Sequence, residues 1–169
     1  MGMAAALAGC ASAPKPAPGD VLTGRLVLNV QPTDSTPMRN VNAGFELSGN
    51  AERGELRLTN PLGNLVGVAT WSPGIAKLAT PDGETTSHVD LAALSREALG
   101  ERIPLQAMPD WLRGRPWAGA PSVPLVPPLG PGFEQLGWRV DLTSWNQRLL
   151  VATRASAPAV TVRAVLNAP

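Results

Sequence analysis

Arg53-Gly54-Glu55-Leu56-Arg57-Leu58-Thr59-Asn60-Pro61-Leu62-Gly63-Asn64-Leu65-Val66-Gly67-Val68-Ala69-Thr70-Trp71 reads as strand, turn, strand. Arg53, Glu55, Arg57 and Thr59 alternate with Leu56 and Leu58, the period of two that marks a half-buried strand. Asn60-Pro61-Leu62-Gly63 is a turn signal, and a second strand runs from about Leu65 to Trp71. The same alternation continues upstream. Over 21–31 one face carries Leu22, Leu26, Leu28 and Val30 and the other Thr23, Arg25 and Asn29. Val41, Ala43, Phe45 and Leu47 alternate with Asn42, Gly44, Glu46 and Ser48. Downstream, Ser72-Pro73-Gly74 turns into a strand over 75–80, and Pro81-Asp82-Gly83 into one over 84–89. Successive strands joined by short turns imply an antiparallel meander.

The period then changes. Asp90 is a candidate N-cap for a helix over 91–99, with Leu91, Leu94 and Ala98 on one stripe and Gly100 as its stop. A second short helical piece over 104–114 carries Leu105, Met108, Trp111 and Leu112, interrupted at Pro109 and closed by Gly114. From Pro116 to Gly132 six prolines and three glycines fall in seventeen residues, which predicts an extended loop and no element. Three strand patterns finish the chain, at 137–143 (Trp138, Val140 and Leu142 on one face), 148–154 and 159–166. The fold class expected is mainly β: a half-open antiparallel barrel of roughly ten strands, with two short inserted helices covering its apolar face.

Composition narrows the chemistry. Leu, Ile, Val and Phe make up about a quarter of the 169 residues, enough for a core in one domain. A formal charge of +1 from 14 basic and 13 acidic residues gives no field to hold nucleic acid. One cysteine and one histidine exclude a disulfide framework and a Cys/His zinc cage. Ser87, His88 and Asp90 hold the letters of a catalytic triad. Neighbours on a strand point to opposite faces, however, so they cannot assemble one. No Walker A, G-x-S-x-G or dinucleotide pattern occurs. No catalytic set, metal site or cofactor is expected.

The single cysteine is the exception. Met1 to Cys10 is apolar and ends in Leu7-Ala8-Gly9-Cys10, which is similar to a bacterial lipobox. Small residues before the cysteine fit a narrow peptidase cleft, and the thiolate is the nucleophile that takes a diacylglyceryl group. A buried core cysteine is the bland alternative. The Pro-rich residues 11–19 that follow offer no core to bury it in. The chain therefore divides into 1–9 as signal peptide, 10–20 as lipidated Cys10 and linker, and 21–169 as folded domain. Nine residues without a Lys or Arg are fewer than the roughly 15–30 of a secretory leader. Either a start codon lies upstream or the leader does not work as written.

Leu56-Arg-Leu-Thr-Asn-Pro-Leu-Gly63 resembles the L-x-L-T-N-P-L-G hairpin of the LolB family, outer-membrane receptors for lipoproteins. Further landmarks follow in the family's order. Thr23-Gly24-Arg25-Leu26 resembles its first strand. Leu99-Gly100-Glu-Arg-Ile-Pro104-Leu105 with Trp111-Leu112-Arg-Gly114 resembles its helical insertion, and Gly137-Trp138-Arg-Val140 its W-x-V strand. The likeness spans about residues 21–166. Phe45 and the region of Asn167 stand where the family commonly carries tryptophan.

The resemblance implies an outer-membrane lipoprotein, anchored by N-acyl and diacylglyceryl groups on Cys10, facing the periplasm as a monomer. Ala11, where Asp would signal retention in the inner membrane, fits that destination. The implied partners are a LolA-like periplasmic carrier, the acyl chains of lipoproteins and the inner leaflet of the outer membrane. Leu26, Leu28, Phe45, Leu56, Leu58, Trp111 and Trp138 are expected to wall an acyl-chain cavity, and Leu62 to act at the membrane. About three acyl chains, on the order of 40 methylenes, represent roughly 30 kcal/mol of gross transfer energy at ~0.8 kcal/mol each, so such a cargo needs a dry carrier. A structural or assembly lipoprotein that binds protein partners without a lipid cavity is the alternative, and a periplasmic hydrolase a third reading. Metabolic labelling with a fatty acid tests the anchor. Label should enter the native chain and be lost in Cys10→Ala; a native chain that stays unlabelled removes the assignment.

Overall fold

The computed structural model describes residues 21–168. The expected signal peptide, Cys10 and the linker lie outside the described residues. Eleven strands form one antiparallel sheet. Six come first: β1 (Leu22–Val30), β2 (Arg39–Gly49), β3 (Gly54–Thr59), β4 (Leu65–Ser72), β5 (Ile75–Ala79) and β6 (Thr85–His88). Two helices follow, α1 (Leu91–Leu99) and α2 (Met108–Trp111). The remaining strands are β7 (Ser122–Pro124), β8 (Gly132–Gln135), β9 (Trp138–Asp141), β10 (Leu149–Arg154) and β11 (Val160–Leu166). Among the described residues no helix is long and apolar enough to cross a membrane.

The strand order is β6-β5-β4-β3-β2-β1-β11-β10-β9-β8-β7, so two meanders are joined where the first strand pairs with the last. That seam runs from Gly24 opposite Leu166 to Val30 opposite Val160. Because side chains alternate, this register puts Leu26, Leu28, Ala164 and Val162 on one face. On the other side of β1, Phe45 lies opposite Gly24 and Leu58 opposite Phe45, which extends the same face across three strands. Gly24 is required at the seam. A Cβ there would overlap the Val165 carbonyl oxygen and press on the Phe45 ring. The sheet curls round this apolar face but does not close, leaving β6 and β7 as its edges.

The helices cover the open side. Asp90 caps α1 as read from sequence, its carboxylate accepting the Ala93 N–H at 2.7 Å. Gly100 ends the helix in the left-handed conformation, φ +77°. The buried stripe is Leu91, Leu94 and Ser95; Ala98, expected on it, is exposed. Ser95 replaces it because its hydroxyl accepts the Ile103 N–H at 3.1 Å, which folds the chain after α1 back against the helix.

Pro109 stands at the start of α2, just after Met108, where an interruption was expected. In the first turn its missing N–H costs nothing and its ring presets φ. The proline-rich stretch holds a short edge strand, β7, and ends in β8, so the loop expectation is corrected over 122–124 and at Gly132. The edge tolerates Pro124 because nothing pairs with β7 beyond it. Asp90→Ala should lower the unfolding free energy by about 1 kcal/mol through the lost cap. A denaturant titration with an unchanged midpoint would show that packing alone holds α1.

Candidate functional site

The face shared by β1, β2, β3 and β11 is roofed by α2 and by the segment that leads to it from α1. Between sheet and roof lies an apolar cavity of about 70 Å³. Leu26, Leu28, Phe45, Leu56 and Leu58 line it from the sheet, together with Val41, Leu47 and Trp71. Leu99, Ile103, Leu105, Met108 and Leu112 line it from above, and Val162 and Ala164 from beyond the seam. Every lining residue is apolar. The one polar side-chain atom among them, Nε1 of Trp71, donates to the Asn50 carbonyl at 2.9 Å. A space this dry repels ions and ordered water, and it rewards aliphatic chains.

Five of the seven expected wall residues are thus together. Trp111 and Trp138 are not among the lining residues. Trp111 is completely buried and donates from Nε1 to Gln135 Oε1 at 2.8 Å. Its ring meets Phe133 edge-on at 6.2 Å and lies 6.3 Å from Trp138. These rings form an aromatic core under β8 and β9. Gln135 holds the following segment too, accepting the Trp117 N–H and donating to the Trp117 and Ala120 carbonyls. Period-two reasoning could have found Val41 and Leu47, which share the alternation of Phe45. It could not have found the roof residues, since nothing local in 99–112 says which side of the segment meets the sheet.

An ion pair ties the roof down. Arg154 donates from Nη2 to Glu101 Oε2 at 2.7 Å and to the Pro158 carbonyl at 2.9 Å. Both side chains are largely buried. The guanidinium lies 5.6 Å from the Trp138 ring centroid, within cation–π range. Glu101 directly follows Gly100, so the pair links the connection between the helices to the β10–β11 end of the sheet. A buried pair of this kind adds little net stability but fixes one geometry.

Leu62 is elsewhere. The β3–β4 turn is pinned by Asn60, whose Oδ1 accepts the N–H groups of Leu62 at 2.9 Å and Asn64 at 3.0 Å. Gly63 takes φ +86°, and a register shift between Leu58 and Thr59 places a bulge at the base of the tip. The result is a rigid turn with Leu62 85% exposed. Leu65 and Val66 beside it are also exposed, so the hairpin carries an apolar end.

Ser87, His88 and Asp90 do not converge. His88 Nε2 is 3.0 Å from Thr86 Oγ1, its Nδ1 is 3.5 Å from Glu97 Oε2, and Asp90 is spent on its cap. The carboxyls of Asp82 and Asp141 are held below the usual range by hydrogen bonds from Thr80 and Thr143, and neither residue lines the cavity. Among the described residues no group of three or more His, Cys, Asp or Glu could hold a metal ion.

Residues 22–166 match the family described as Outer membrane lipoprotein LolB. The outer-membrane lipoprotein LolB of Bordetella pertussis is 34% identical, with 98% of this chain and 88% of that protein aligned. The chain belongs to the LolB family. The outer-membrane lipoprotein LolB of Bordetella petrii is also 34% identical, over 99% of this chain and 90% of its own length. That of Dechloromonas aromatica is 34% identical over 81% and 75%. Leu58, next to the last residue of β3, lines the sheet side of the cavity. Leu58→Glu should weaken binding of a hydrophobic fluorescent probe by at least about tenfold, since an unpaired carboxylate in an apolar wall costs roughly 2–3 kcal/mol. Circular dichroism of the same sample checks folding; unchanged probe affinity in a folded variant would remove Leu58 from the wall.

Proposed function

We propose that this LolB-family lipoprotein accepts lipoproteins from a LolA-like periplasmic carrier through the apolar cavity and inserts them into the inner leaflet of the outer membrane. The observation that carries the reading is a cavity lined only by apolar residues, between the sheet and a roof made of α2 and the segment that leads to it. Cys10 carries the anchor, and the same face of β1, β2 and β3 receives the acyl chains.

At about 70 Å³ the cavity is far smaller than the roughly 300–1,000 Å³ of a ligand pocket. Acyl chains therefore enter only as the roof lifts from the sheet. Leu105, Met108 and Leu112 move away from the sheet side of the wall, and the cargo's methylenes take their place. This exchanges one apolar contact for another, so burial of the cargo offsets the cost of displacing the roof. The Glu101–Arg154 pair ties the same segment to the end of β10 and limits how far the roof can swing.

Discharge belongs to the hairpin. Single exposed leucines are common, but Leu62 sits on a rigid tip flanked by Leu65 and Val66, on a protein tethered beside a bilayer. The tip dips into the lipid interface and disturbs packing where cargo must enter. Leu62→Glu should fold and load normally but keep its cargo when liposomes are added. Release at the wild-type level would refute the membrane role, and failure to load would make Leu62 structural.

A further inference from the structure

The β8–β9 connection is a two-residue hairpin: Gln135 pairs with Trp138, and only Leu136 and Gly137 lie between them. Both have positive φ, +54° and +77°, the mark of a type I′ turn. Asn-Gly and Asp-Gly suit that turn, because a short polar side chain tolerates the left-handed region. A leucine in its first position is strained. Leu136 is 43% exposed and takes no part in the hydrophobic core. Single exposed leucines are common, but strain kept at an exposed tip points to a function and away from packing.

Register fixes where this tip lies. β1 and β3 run toward the end that carries the Leu62 turn, and β11 runs back from it. Alternation through β10 and β9 then brings the Leu136 turn to that same end. The two connections between them in strand order present Met38 and the uncharged Ala155-Ser156-Ala157, all exposed. The leucine tips therefore flank the β1–β11 seam, one on each meander. They are built alike. In each the leucine precedes a left-handed glycine, Gly63 or Gly137, where an added Cβ would meet nothing within 4 Å. The base of the second tip is also firm, since Gln135 and Trp138 are buried and the Gln135 amide is bonded to Trp111, Trp117 and Ala120.

We propose that Leu136 is a second lipid-inserting tip, so that the protein meets the bilayer interface through one leucine on each meander. The proposal rests on the membrane role read for Leu62 and extends it to a different hairpin. A two-residue turn offers far less than the roughly 800 Å² a side of an ordinary protein interface, whereas one leucine is readily buried at the boundary of headgroups and acyl chains. A single tip would let the barrel pivot on the membrane. Two tips, on either side of the seam, hold this end of the sheet against the leaflet.

The test uses the full chain carrying Cys10→Ala, which has no anchor at that position, and vesicles of phosphatidylethanolamine and phosphatidylglycerol. Added to this parent, Leu136→Asn should lower vesicle partition about tenfold, the loss of one leucine from the interface. Its denaturation midpoint should stay level or rise, because asparagine suits the turn. Cys10 is the only cysteine, so Leu136→Cys in the same parent takes a single environment-sensitive fluorophore. Its emission should move to the blue when vesicles are added. Val126, exposed in the β7–β8 connection at the other end of the sheet, is the control. Val126→Asn should leave partition unchanged, and a label on Val126→Cys should not shift. Unchanged partition of Leu136→Asn overturns the proposal; if acceptance of lipoprotein from the carrier falls at the same time, the tip is a protein contact. An equal loss in Val126→Asn overturns it as unspecific adhesion, and a lower denaturation midpoint for Leu136→Asn overturns it by making the leucine a packing residue. Leu62→Glu is measured beside them: partition at the parent level would refute the membrane reading of Leu62, whatever Leu136 does.

Discussion

The pairing of the first strand with the last is the constraint on which everything else depends. Each half of the sheet is a meander with one apolar face, and neither half alone can bury it. Seven residue pairs between β1 and β11 turn the two into one curved sheet with a common interior. Gly24 makes the seam possible by admitting both the Val165 carbonyl and the Phe45 ring where a side chain would stand. The cavity sits against this seam, with Leu26 and Leu28 on one side of it and Val162 and Ala164 on the other. Whatever loosens β1 from β11 therefore opens the floor of the site, and the wall cannot be separated from the fold.

The roof is held differently from the floor. Backbone ladders fix the sheet, but the segment from Leu99 to Leu112 is tied by a few side-chain contacts: the Ser95 hydroxyl, the Arg154–Glu101 pair and Trp111 anchored on Gln135. Most of these attachments lie at the ends of the segment. Leu105 and Met108, between them, touch the cavity with no hydrogen-bonded side chain of their own. Such a distribution lets the middle of the roof yield while its ends stay seated. The Arg154 Nε is buried with no hydrogen-bond partner, so this tie is less than fully satisfied.

The sheet was legible in the sequence because its signal is local. Alternation from Leu22 to Val89, with Asn-Pro-Leu-Gly, Ser-Pro-Gly and Pro-Asp-Gly between the runs, gave six strands in their right order. Asp90 and Gly100 framed α1. What escaped depends on partners distant in sequence. β7 and β8 were hidden because Pro121, Pro124 and Pro131 obscure any alternation, and only pairing with β9 makes Phe133 and Gln135 strand residues. Trp111 and Trp138 looked like cavity walls because apolar pattern alone cannot tell a core from a pocket. The difference lies in Gln135, a buried amide that gives the Trp111 N–H a partner and commits that ring to the core. Leu62 was readable for the opposite reason: a turn fixed by its own asparagine and glycine leaves a leucine nowhere to go but outward.

On the proposed function, the small resting volume is itself part of the mechanism. A permanently open pocket large enough for acyl chains would expose its leucines to water after each discharge, at roughly 25 cal/mol for every Å² left wet. On the proposed reading the roof residues come back to the sheet and refill the space, which stands at about 70 Å³ in the structure. That return offsets part of the cost of losing the cargo, because the wall is covered again as the chains depart. Cargo binding is correspondingly weaker than its methylene count implies, since part of its burial energy is used to displace the roof. The membrane has no roof to displace. On that reading the same chains gain more by entering the bilayer than by entering the protein, and discharge runs downhill.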